Sequence, residues 1–410
     1  MARPPDGAAG RGPARHAAAL GRAGPRRGRG VLPPAPLRRR AHRVPRLRAP
    51  RRPRHVLHPS VGGRCRSTPA RRSVAHAGPA LRRPARHVRA AGAAALRVSL
   101  HWRGIMDGVL GHECLYAWAY DNAGRGQALL PLVRVRSRLF GDYLVSMPFL
   151  NGGGPIGSPD GVAALVDYAV GRARTLGVGL LELRNREEVS TTLRVSSRKI
   201  TVRLGLPESS DALWRQLDSK LRSQIRRPQK QGFVVRFGVN QVDAFYEVFA
   251  RNMRSLGTPV LPRRFFERIA AMFPAAVVCG AVYDGARPAA AGFGFLWKDE
   301  LEMTWASSLR EYSRLAPNML LYWSFLEYAI ERGVRTFDFG RCTPGGGTHR
   351  FKLQWGGSDV PLPWLQWSTR NVMATPSPDR PAYKLAAAVW RRLPLAVTNR
   401  IGPVLARQLP

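Results

Sequence analysis

Two stretches of the chain, about 160 residues apart, share the same order of sequence patterns. Residues 115–135, LYAWAYDNAGRGQALLPLVRV, and residues 278–297, VCGAVYDGARPAAAGFGFLW, each place two apolar runs around a turn rich in Asp and Gly. In both, a Tyr–Asp pair ends the first run, at Tyr120–Asp121 and at Tyr283–Asp284. Apolar runs around a short turn predict a β-hairpin. A repeated hairpin restricts the fold to one built from two similar halves.

The segments that follow the two hairpins also correspond. Each hairpin precedes a third strand, a helix with apolar residues near the 3.6-residue period, and a closing strand. The third strands are 142–150 and 300–308, the helices are 161–177 and 318–333, and the closing strands are 179–186 and 335–341. Antiparallel strands that run into a helix and another strand predict an α/β (α+β) fold. The repeat predicts that this fold occurs twice, in tandem.

The first 90 residues differ in composition from the rest of the chain. They hold 24 Arg and no Lys, a single acidic residue (Asp6), and no aromatic side chain or Ile. Such a segment cannot bury enough apolar surface to offset an ordering entropy of ~1–2 kcal/mol per residue. We therefore predict that residues 1–95 are disordered. This composition fits three interpretations: a nucleic-acid-binding arm, an arginine-rich transit peptide, or a sequence read from upstream of the true translation start. We favour the incorrect translation start.

Several classes of protein are excluded or disfavoured by what the rest of the sequence holds. No run of 18 apolar residues exists, so no membrane-spanning segment is predicted. The three cysteines after residue 95 are far apart and odd in number, which favours free thiols and a cytoplasmic location. No histidine is spaced with a second ligand, so no metal is predicted. The GxSxG, GxxxxGK[ST] and GxGxxG motifs are absent.

Three segments resemble one family. SRLFGDYLVSMPFLNGGGPIG (137–157), LRSQIRRPQKQG (221–232) and the long segment 312–356, which contains RTFDFGRCTPGGGTHRFKLQWG, are similar to FemAB-related proteins that accompany PEP-CTERM/exosortase systems. The resemblance covers roughly residues 105–410. It implies a duplicated acetyltransferase-like (GNAT) fold and transfer of an acyl or aminoacyl group to an amino group of a cell-envelope or exopolysaccharide precursor.

The resemblance and the repeat together predict the domain boundaries. Residues 96–205 are expected to form the first GNAT-like domain, which lacks part of its N-terminal region, and residues 206–375 the second. The second domain is expected to begin with a basic helix at 211–232. Residues 376–410 are expected to form a helical extension. Its alternation of short apolar runs with Arg favours docking on the protein, with weak membrane-surface contact of 381–410 as the alternative.

The segment after the second closing strand holds the predicted catalytic centre. By resemblance to Fem-type transferases, Lys352, preceded by Phe351, acts in the transfer step. A lysine ammonium stabilises negative charge that develops on a carbonyl, and an aromatic neighbour shields it from water. The alternative is a solvated lysine on a strand with Phe351 in the core. The glycines Gly345, Gly346 and Gly347 are expected to bring the backbone close to substrate, or otherwise to form a flexible connection.

Two charged residues of the closing strand are further candidates. Arg341 suits an anionic substrate group such as phosphate or carboxylate. Asp338 is a candidate catalytic base, with an ion pair to a nearby Arg as the alternative. Whether the two side chains share a face of the strand depends on the backbone at Gly340.

Comparable positions in the first half and between the halves complete the predicted substrate site. Asn151, Gly152 and Gly153, in the run NGGG, and Arg184 stand where the second half has its glycine loop and Arg341. They are expected to contact the acceptor. Between the halves, the basic residues Lys220, Arg222, Arg226, Arg227 and Lys230 recur at helical spacing. Of these, Arg226 and Arg227 are predicted to bind a polyanionic substrate, with a solvated helix end that stops at Pro228 as the alternative.

The donor is left open between an acyl-CoA and an aminoacyl-tRNA. The chain has no Q/RxxGxG/A loop of the kind that binds pyrophosphate in acetyltransferases, which weakens the case for acetyl-CoA. The expected partners are a small-molecule or envelope-precursor acceptor and, for an aminoacyl donor, tRNA. Three functions remain open at this level: a transferase, an inactive scaffold of the same fold, and a nucleic-acid-binding protein that uses the basic N-terminal segment.

Overall fold

The computed structural model describes residues 73–76, 99–137, 141–369 and 381–409. Most of the Arg-rich segment lies outside these residues, and so does the predicted disorder there. Residues 73–76, within that segment, form a short strand. The end of the segment predicted as a C-terminal extension, 381–409, is described from its first helix onward.

Fifteen strands are present among the described residues. In chain order they are β1 (Ser73–His76), β2 (Glu113–Tyr120), β3 (Gly126–Ser137), β4 (Gly141–Val145), β5 (Ile156–Gly157), β6 (Leu180–Leu183), β7 (Arg194–Ser196), β8 (Ile200–Gly205), β9 (Val234–Phe237), β10 (Val277–Asp284), β11 (Arg287–Trp297), β12 (Glu300–Ser308), β13 (Thr336–Cys342), β14 (Ser358–Pro361) and β15 (Trp364–Ser368).

Ten α-helices connect these strands in the described part of the chain. They are α1 (His101–Gly108), α2 (Pro159–Thr175), α3 (Ser210–Gln216), α4 (Ser219–Lys230), α5 (Val242–Leu256), α6 (Arg263–Met272), α7 (Pro317–Ile330), α8 (Gly347–Leu353), α9 (Pro381–Arg392) and α10 (Leu395–Ala406). Short 3₁₀ turns stand at Val239–Gln241 and Arg310–Tyr312.

The two halves have the same strand order. In the first sheet, β2, β3 and β4 are antiparallel neighbours, α2 crosses over, and β6 returns parallel to β4. In the second sheet, β10, β11 and β12 are antiparallel neighbours, α7 crosses over, and β13 returns parallel to β12. The internal repeat, the hairpins and the closing strands predicted from the sequence are therefore confirmed. The α/β class follows from two sheets with helices on their faces.

The two sheets exchange strands. The first sheet has the order β1-β2-β3-β4-β6-β15-β7, and the second has the order β14-β8-β13-β12-β11-β10-β9. β8, which follows the first half in sequence, pairs antiparallel with β13 of the second sheet, whereas β15 returns to pair antiparallel with β6 of the first. Each sheet is completed by a strand from the far side of the predicted boundary at 205/206. The division of the chain into two domains at 205/206 stays a prediction.

The ends of α2 show why a helix forms at this position. Ser158 caps it by accepting a hydrogen bond from the Gly161 N–H at 3.2 Å, and Pro159 occupies the first turn. Asp160 lies in the first turn and Arg172 and Arg174 in the last, which complements the helix dipole. The helix buries its apolar face, including Leu165 and Val166, against the first sheet.

A shared aromatic core joins the halves. Val133 and Val145 of the first sheet belong to the same buried cluster as Phe293 of the second. Helices α5 and α6 add Phe245, Phe266 and their neighbours to this cluster, with ring centroids about 5 Å apart. Because the burial of apolar surface is shared, the two halves stabilise each other.

The C-terminal helices dock on the protein. The Arg254 Nε on α5 donates a hydrogen bond to the Leu393 carbonyl at 2.5 Å, and Thr398, Gly402 and Ala406 of α10 are buried. The chain breaks at Pro394, as expected, but Pro403 lies inside α10. Likewise Pro228 does not stop α4, which continues to Lys230. None of the helices in the described ranges is both long enough and apolar enough to cross a bilayer.

Candidate active site

Strands β12 and β13 are hydrogen-bonded only at their beginnings. Their pairing runs from Glu300–Glu302 on one strand to Thr336–Asp338 on the other and then stops. Beyond this point the strands continue to Ser308 and Cys342 without pairing to each other, and we call this unpaired stretch the opening.

A β-bulge in β13 shapes one wall of this opening. Asp338 is opposite Arg203 of β8 and Arg341 is opposite Thr201, so β13 has one residue more than its partner. Gly340 takes a φ of 75°, and a Cβ there would lie 2.6 Å from the Met303 carbonyl oxygen. Only glycine fits. The extra residue places Asp338 and Arg341 on the same face of the sheet, which the sequence had left open.

The ammonium group of Lys352 is hydrogen-bonded to the backbone of this bulge. It donates hydrogen bonds to the carbonyl oxygens of Gly340 at 2.5 Å and Arg341 at 3.1 Å. The side chain is only 6% exposed, and burial lowers its pKa to about 8. The alternative of a solvated lysine on a strand is wrong, because residues 347–353 form helix α8 and Lys352 is buried. Among the described residues two of its three N–H groups have acceptors, which leaves the third for a further partner.

Hydrogen bonds of His349 hold the glycine loop in place. The Gly345 N–H donates to His349 Nδ1 at 3.0 Å, and His349 Nε2 lies 2.8 Å from an oxygen of Asp359 on β14. Since Nδ1 accepts, Nε2 carries the proton and donates it to the carboxylate. Gly345 has a φ of 74°, Gly346 is the N-cap of α8, and Gly347 is its first residue. The loop is thus a defined turn into a helix, with Gly345 and Gly347 exposed to solvent.

Phe351 lies on the other side of α8 from this turn. Its ring is half-buried and meets that of Tyr322 edge to face, with 4.9 Å between centroids, beside Trp355. The core position considered in the sequence is therefore the one observed. A contact of Phe351 with substrate stays a prediction.

Asp338 is surrounded by donors. Its carboxylate accepts hydrogen bonds from the Thr201 hydroxyl, from the Gly340 N–H at 2.8 Å and from Arg186 at 2.6 Å, with Arg203 at 3.4 Å. It is 2% exposed. Four donors, two of them guanidinium groups, therefore occupy this carboxylate. This geometry favours the ion-pair alternative over the predicted role as a base, and it gives Asp338 the task of shaping the bulge.

Two glutamates of β12 join Asp338 in a buried cluster. One carboxylate oxygen from each of Glu300, Glu302 and Asp338 lies within 4.8 Å of the others, a spacing that suits a metal ion. The guanidinium of Arg186 already lies among them, 2.7 Å from Glu300 and 3.6 Å from Glu302. Arg203 adds a second cation, 3.2 Å from Glu300. Because these guanidiniums compensate the carboxylates, the cluster does not fit a metal site well.

The NGGG run of the first half contacts this cluster. Asn151 is buried, and its Nδ2 donates to Glu302 at 2.8 Å. The N–H groups of Gly153 and Gly154 both donate to the Arg184 carbonyl, at 3.1 and 3.0 Å, and Gly152 between them and Asn151 is buried. The structure thus brings the predicted residues of the first half next to the end of β13.

Arg184 and Arg341 both lie against one indole ring. Their guanidinium carbons lie 4.7 and 5.1 Å from the ring centroid of Trp364 at the start of β15. Arg184 is buried and paired with Glu182 at 2.9 Å. Burial, and then the charge of Arg184, lower the pKa of Arg341 to about 10.

The predicted cations of α4 are not part of this group. Arg227 donates to the Arg314 carbonyl at 2.9 Å, and the Arg226 guanidinium lies over the Trp214 ring at 5.0 Å. With Arg222 and Lys230 they line a groove of about 550 Å³ along one face of α4. Neither Arg226 nor Arg227 contacts the Lys352 or Arg341 side chain within the part of the chain that the structure describes. Their role in binding a substrate stays a prediction.

Several residues of the site were not predicted from the sequence. Arg186, Glu302, Lys199 and Trp364 come from four separate segments, and none belongs to a local motif. One signal was present. In each closing strand the last residue that pairs with the preceding strand of its half is acidic, Glu182 or Asp338, and an Arg follows two or three positions later.

Comparison with known proteins agrees with the fold. Residues 215–353 match a family model described as an acetyltransferase (GNAT) domain. The match runs from the end of α3 to the end of α8 and includes Lys352. Since the first half repeats the strand order of the matched half, the predicted fold of two tandem acetyltransferase-like units is confirmed. No curated protein sequence matches the chain.

Some solved structures have a similar chain path. A crystal structure of FemX is 13% identical, covers 71% of this chain and 94% of its own, and gives a TM-score of 0.49. L-PGS from Bacillus licheniformis is 11% identical, with coverages of 70% and 91% and a TM-score of 0.45. A tandem GNAT protein from the clavulanic acid biosynthesis pathway is 12% identical, with coverages of 65% and 84% and a TM-score of 0.39.

Proposed function

We propose that the chain is an acyl or aminoacyl transferase of the Fem-like type, which transfers an acyl group to an amino group of a cell-envelope or exopolysaccharide precursor. The observation that carries this proposal is the position of Lys352 in the matched acetyltransferase domain, buried behind the bulge where β12 and β13 separate. The envelope pathway and its link to PEP-CTERM/exosortase systems rest on the sequence resemblance.

The reaction requires a positive charge near the acyl carbonyl. The acceptor amine attacks the carbonyl carbon, the bond from that carbon to the carrier sulfur or oxygen breaks, and the amine proton goes to the leaving atom. Negative charge develops on the carbonyl oxygen during the attack. The remaining N–H of Lys352 is suited to donate to that oxygen, and its burial strengthens the interaction because water does not screen it.

The state of Lys352 suits this role at neutral pH. Burial lowers the pKa of its ammonium group to about 8, so most molecules keep the charge at pH 7. The two carbonyl acceptors hold Nζ in one place, and the Asp338 carboxylate fixes the Gly340 N–H of the same bulge at 2.8 Å. A donor held in place before the reaction costs no reorganisation when charge develops.

The donor is a phosphate-bearing carrier in either form of the proposal. Acyl-CoA and aminoacyl-tRNA both carry phosphates, and the groove with its four cations on α4 is the described surface best suited to a polyanion. A tRNA would need a longer basic surface than coenzyme A. The two donors are therefore distinguished by measurement rather than by charge alone.

The test uses the full chain. Binding of acetyl-CoA, a longer acyl-CoA and a mixture of aminoacyl-tRNAs is measured by calorimetry, and turnover is then followed with amine-bearing envelope precursors. Lys352→Ala is expected to lower turnover by ~10²–10³-fold with little change in donor affinity. Lys352→Arg should restore little, because a planar guanidinium does not replace a compact ammonium group.

A matched control is available on α9. Lys384 is exposed, and Lys384→Ala removes the same charge far from the bulge, so its turnover should equal wild type. Full turnover of Lys352→Ala with a verified donor and acceptor would remove Lys352 from the mechanism. If no donor of either class binds, the inactive scaffold becomes the better description.

A further inference from the structure

Two cations lie on neighbouring segments next to the bulge of β13. β8 and β13 pair with Thr201 opposite Arg341 and Ile200 opposite Cys342. Lys199 then follows opposite Thr343, and its Nζ donates to the Thr343 hydroxyl at 2.7 Å. Alternate residues of a strand share a face, so Lys199 and Arg341 project from the same side of the sheet. Both are half-buried.

These two charges are not compensated by the carboxylates around them. Glu182 pairs with Arg184 at 2.9 Å and also accepts from Gln366, and Asp338 pairs with Arg186 and Arg203. Within the described ranges, no carboxylate lies within ion-pair distance of Lys199 or Arg341. The protein therefore keeps two positive charges together in a partly buried place, an arrangement that disfavours the empty state.

The directions of the pKa shifts of Lys199 and Arg341 agree with this geometry. Burial and then the charge of Arg341 lower the pKa of Lys199, as burial and Arg184 lower that of Arg341. An anion between the two cations would relieve the repulsion.

The indole ring that Arg184 and Arg341 both contact limits where the Arg341 guanidinium can go. Trp364 is buried, and the Arg184 guanidinium also lies against its ring, 4.7 Å from the centroid. Since one side of the Arg341 guanidinium is against the ring, its N–H groups are left to project along the ring edges. The Trp364 Nε1 and both side-chain polar atoms of Asn185 are also buried without a hydrogen-bond partner in the described part of the chain.

We propose that Arg341 and Lys199 form a binding subsite for a phosphoryl group with two negative charges, beside the Lys352 bulge. Two unpaired cations match a dianion, whereas a single carboxylate would leave one of them uncompensated. An arginine fork and a lysine ammonium group together reach two or three oxygens of one tetrahedral phosphate. The subsite rests on the proposed function only in that the phosphoryl group belongs to a substrate of the transferase, either its donor or its acceptor.

The experiment measures anion binding without any transfer reaction. The full chain is titrated with inorganic pyrophosphate at physiological ionic strength by calorimetry, as wild type and as Arg341→Gln and Lys199→Gln. Each substitution should weaken the site by about tenfold, since each removes one charge-assisted contact. Arg400→Gln and Lys384→Gln remove exposed charges on α10 and α9 and should change the affinity by less than about twofold.

The Arg-rich N-terminal segment is identical in all these proteins, so its contribution cancels from the comparison. Circular dichroism is used to check that each variant is folded. Because Lys199 is half-exposed at a strand end, Lys199→Gln should fold and keeps the test valid even if Arg341→Gln does not fold. Succinate carries two charges on separate carboxylates and should bind at least about tenfold more weakly than pyrophosphate.

The outcomes separate cleanly. Equal pyrophosphate affinity in wild type and both site variants, or tighter binding of succinate, overturns the phosphoryl subsite whatever the transfer assays give. Weakening in both site variants but in neither control supports it, even if no transfer is found. Competition between pyrophosphate and coenzyme A at the Arg341-dependent site then assigns the phosphoryl group to the donor, and simultaneous binding assigns it to the acceptor.

Discussion

The buried charge of Lys352 gives the protein a stability that depends on pH in a defined direction. Burial lowers the pKa of this group from 10.5 to about 8 in the folded chain, while the unfolded chain keeps the ordinary value. Between these two values the unfolded state binds the proton and the folded state does not. Stability from this group therefore rises with pH, is at its lowest below pH 8, and gains the full difference above pH 10.5.

The magnitude follows from the shift. A difference of one pKa unit corresponds to ~1.4 kcal/mol, so a shift to about 8 gives about 2 kcal/mol of added stability between pH 7 and pH 9.5. Other groups of the chain also change protonation in alkaline solution. Their contribution is removed by comparison with Lys352→Met, which keeps most of the volume and removes the charge.

The variant carries its own cost at every pH. Without the ammonium group, the carbonyl oxygens of Gly340 and Arg341 lose a donor, which costs about 1–3 kcal/mol for each buried acceptor left unsatisfied. At pH 7 this loss is offset by the absence of a buried charge. The free energy of unfolding of Lys352→Met should therefore be close to that of wild type at pH 7 and should fall behind it by about 2 kcal/mol at pH 9.5.

The assay is urea unfolding at 25 °C of both full-length proteins at pH 7, 8, 8.5, 9 and 9.5, followed by tryptophan fluorescence. Equal m-values show that the same surface is exposed in both. A difference in free energy that does not change with pH would show that the Lys352 pKa is ordinary. Lys384→Met, at an exposed position, should track wild type throughout.

Three further predictions follow from the same region. Gly340→Ala should lower the free energy of unfolding by at least about 2–3 kcal/mol, and Gly345→Ala by only about 1 kcal/mol. Both glycines have a positive φ, but only at Gly340 would a Cβ lie against backbone, 2.6 Å from the Met303 oxygen. Equal losses in denaturant unfolding would contradict this. Arg186→Met should cost about 3–5 kcal/mol by leaving buried carboxylates undercompensated, whereas Arg203→Met, about a third exposed, should cost ~1 kcal/mol in the same measurement. His349→Ala should speed hydrogen exchange of the Gly345 amide by about tenfold with little change in melting temperature; unchanged exchange would mean that the loop does not depend on the histidine.

Much of the fold could be predicted from the sequence because its elements are encoded locally. Apolar residues that recur every 2 or 3.6 positions, together with turn residues, predict the hairpins, helices and closing strands. The predicted helix 318–333, for example, is observed as α7 over Pro317–Ile330. Tyr120–Asp121 and Tyr283–Asp284 end the first strand of each hairpin as expected. The repeat alone was enough to predict two similar α/β halves.

The site was predictable only in part. Lys352, Arg341, Asp338 and Asn151 were named in advance, and the structure brings all four to the end of β13. Their roles were not readable from the sequence. Asp338 is shown to accept from several donors and Lys352 to hold two carbonyls, because hydrogen-bond partners lie many residues away and depend on tertiary contacts.

By itself, then, the sequence determined the elements, their duplication and the polar residues at the ends of the closing strands, since these depend on neighbours in the chain. Only the tertiary structure decided which strand completes which sheet. A strand edge does not specify its partner through local pattern, and here β8 and β15 cross to the opposite halves. That exchange delivers Lys199 and Trp364 to Arg341, and one extra residue at Gly340 turns Arg341 to the face of Asp338. Both are effects of non-local pairing, which strand periodicity cannot encode.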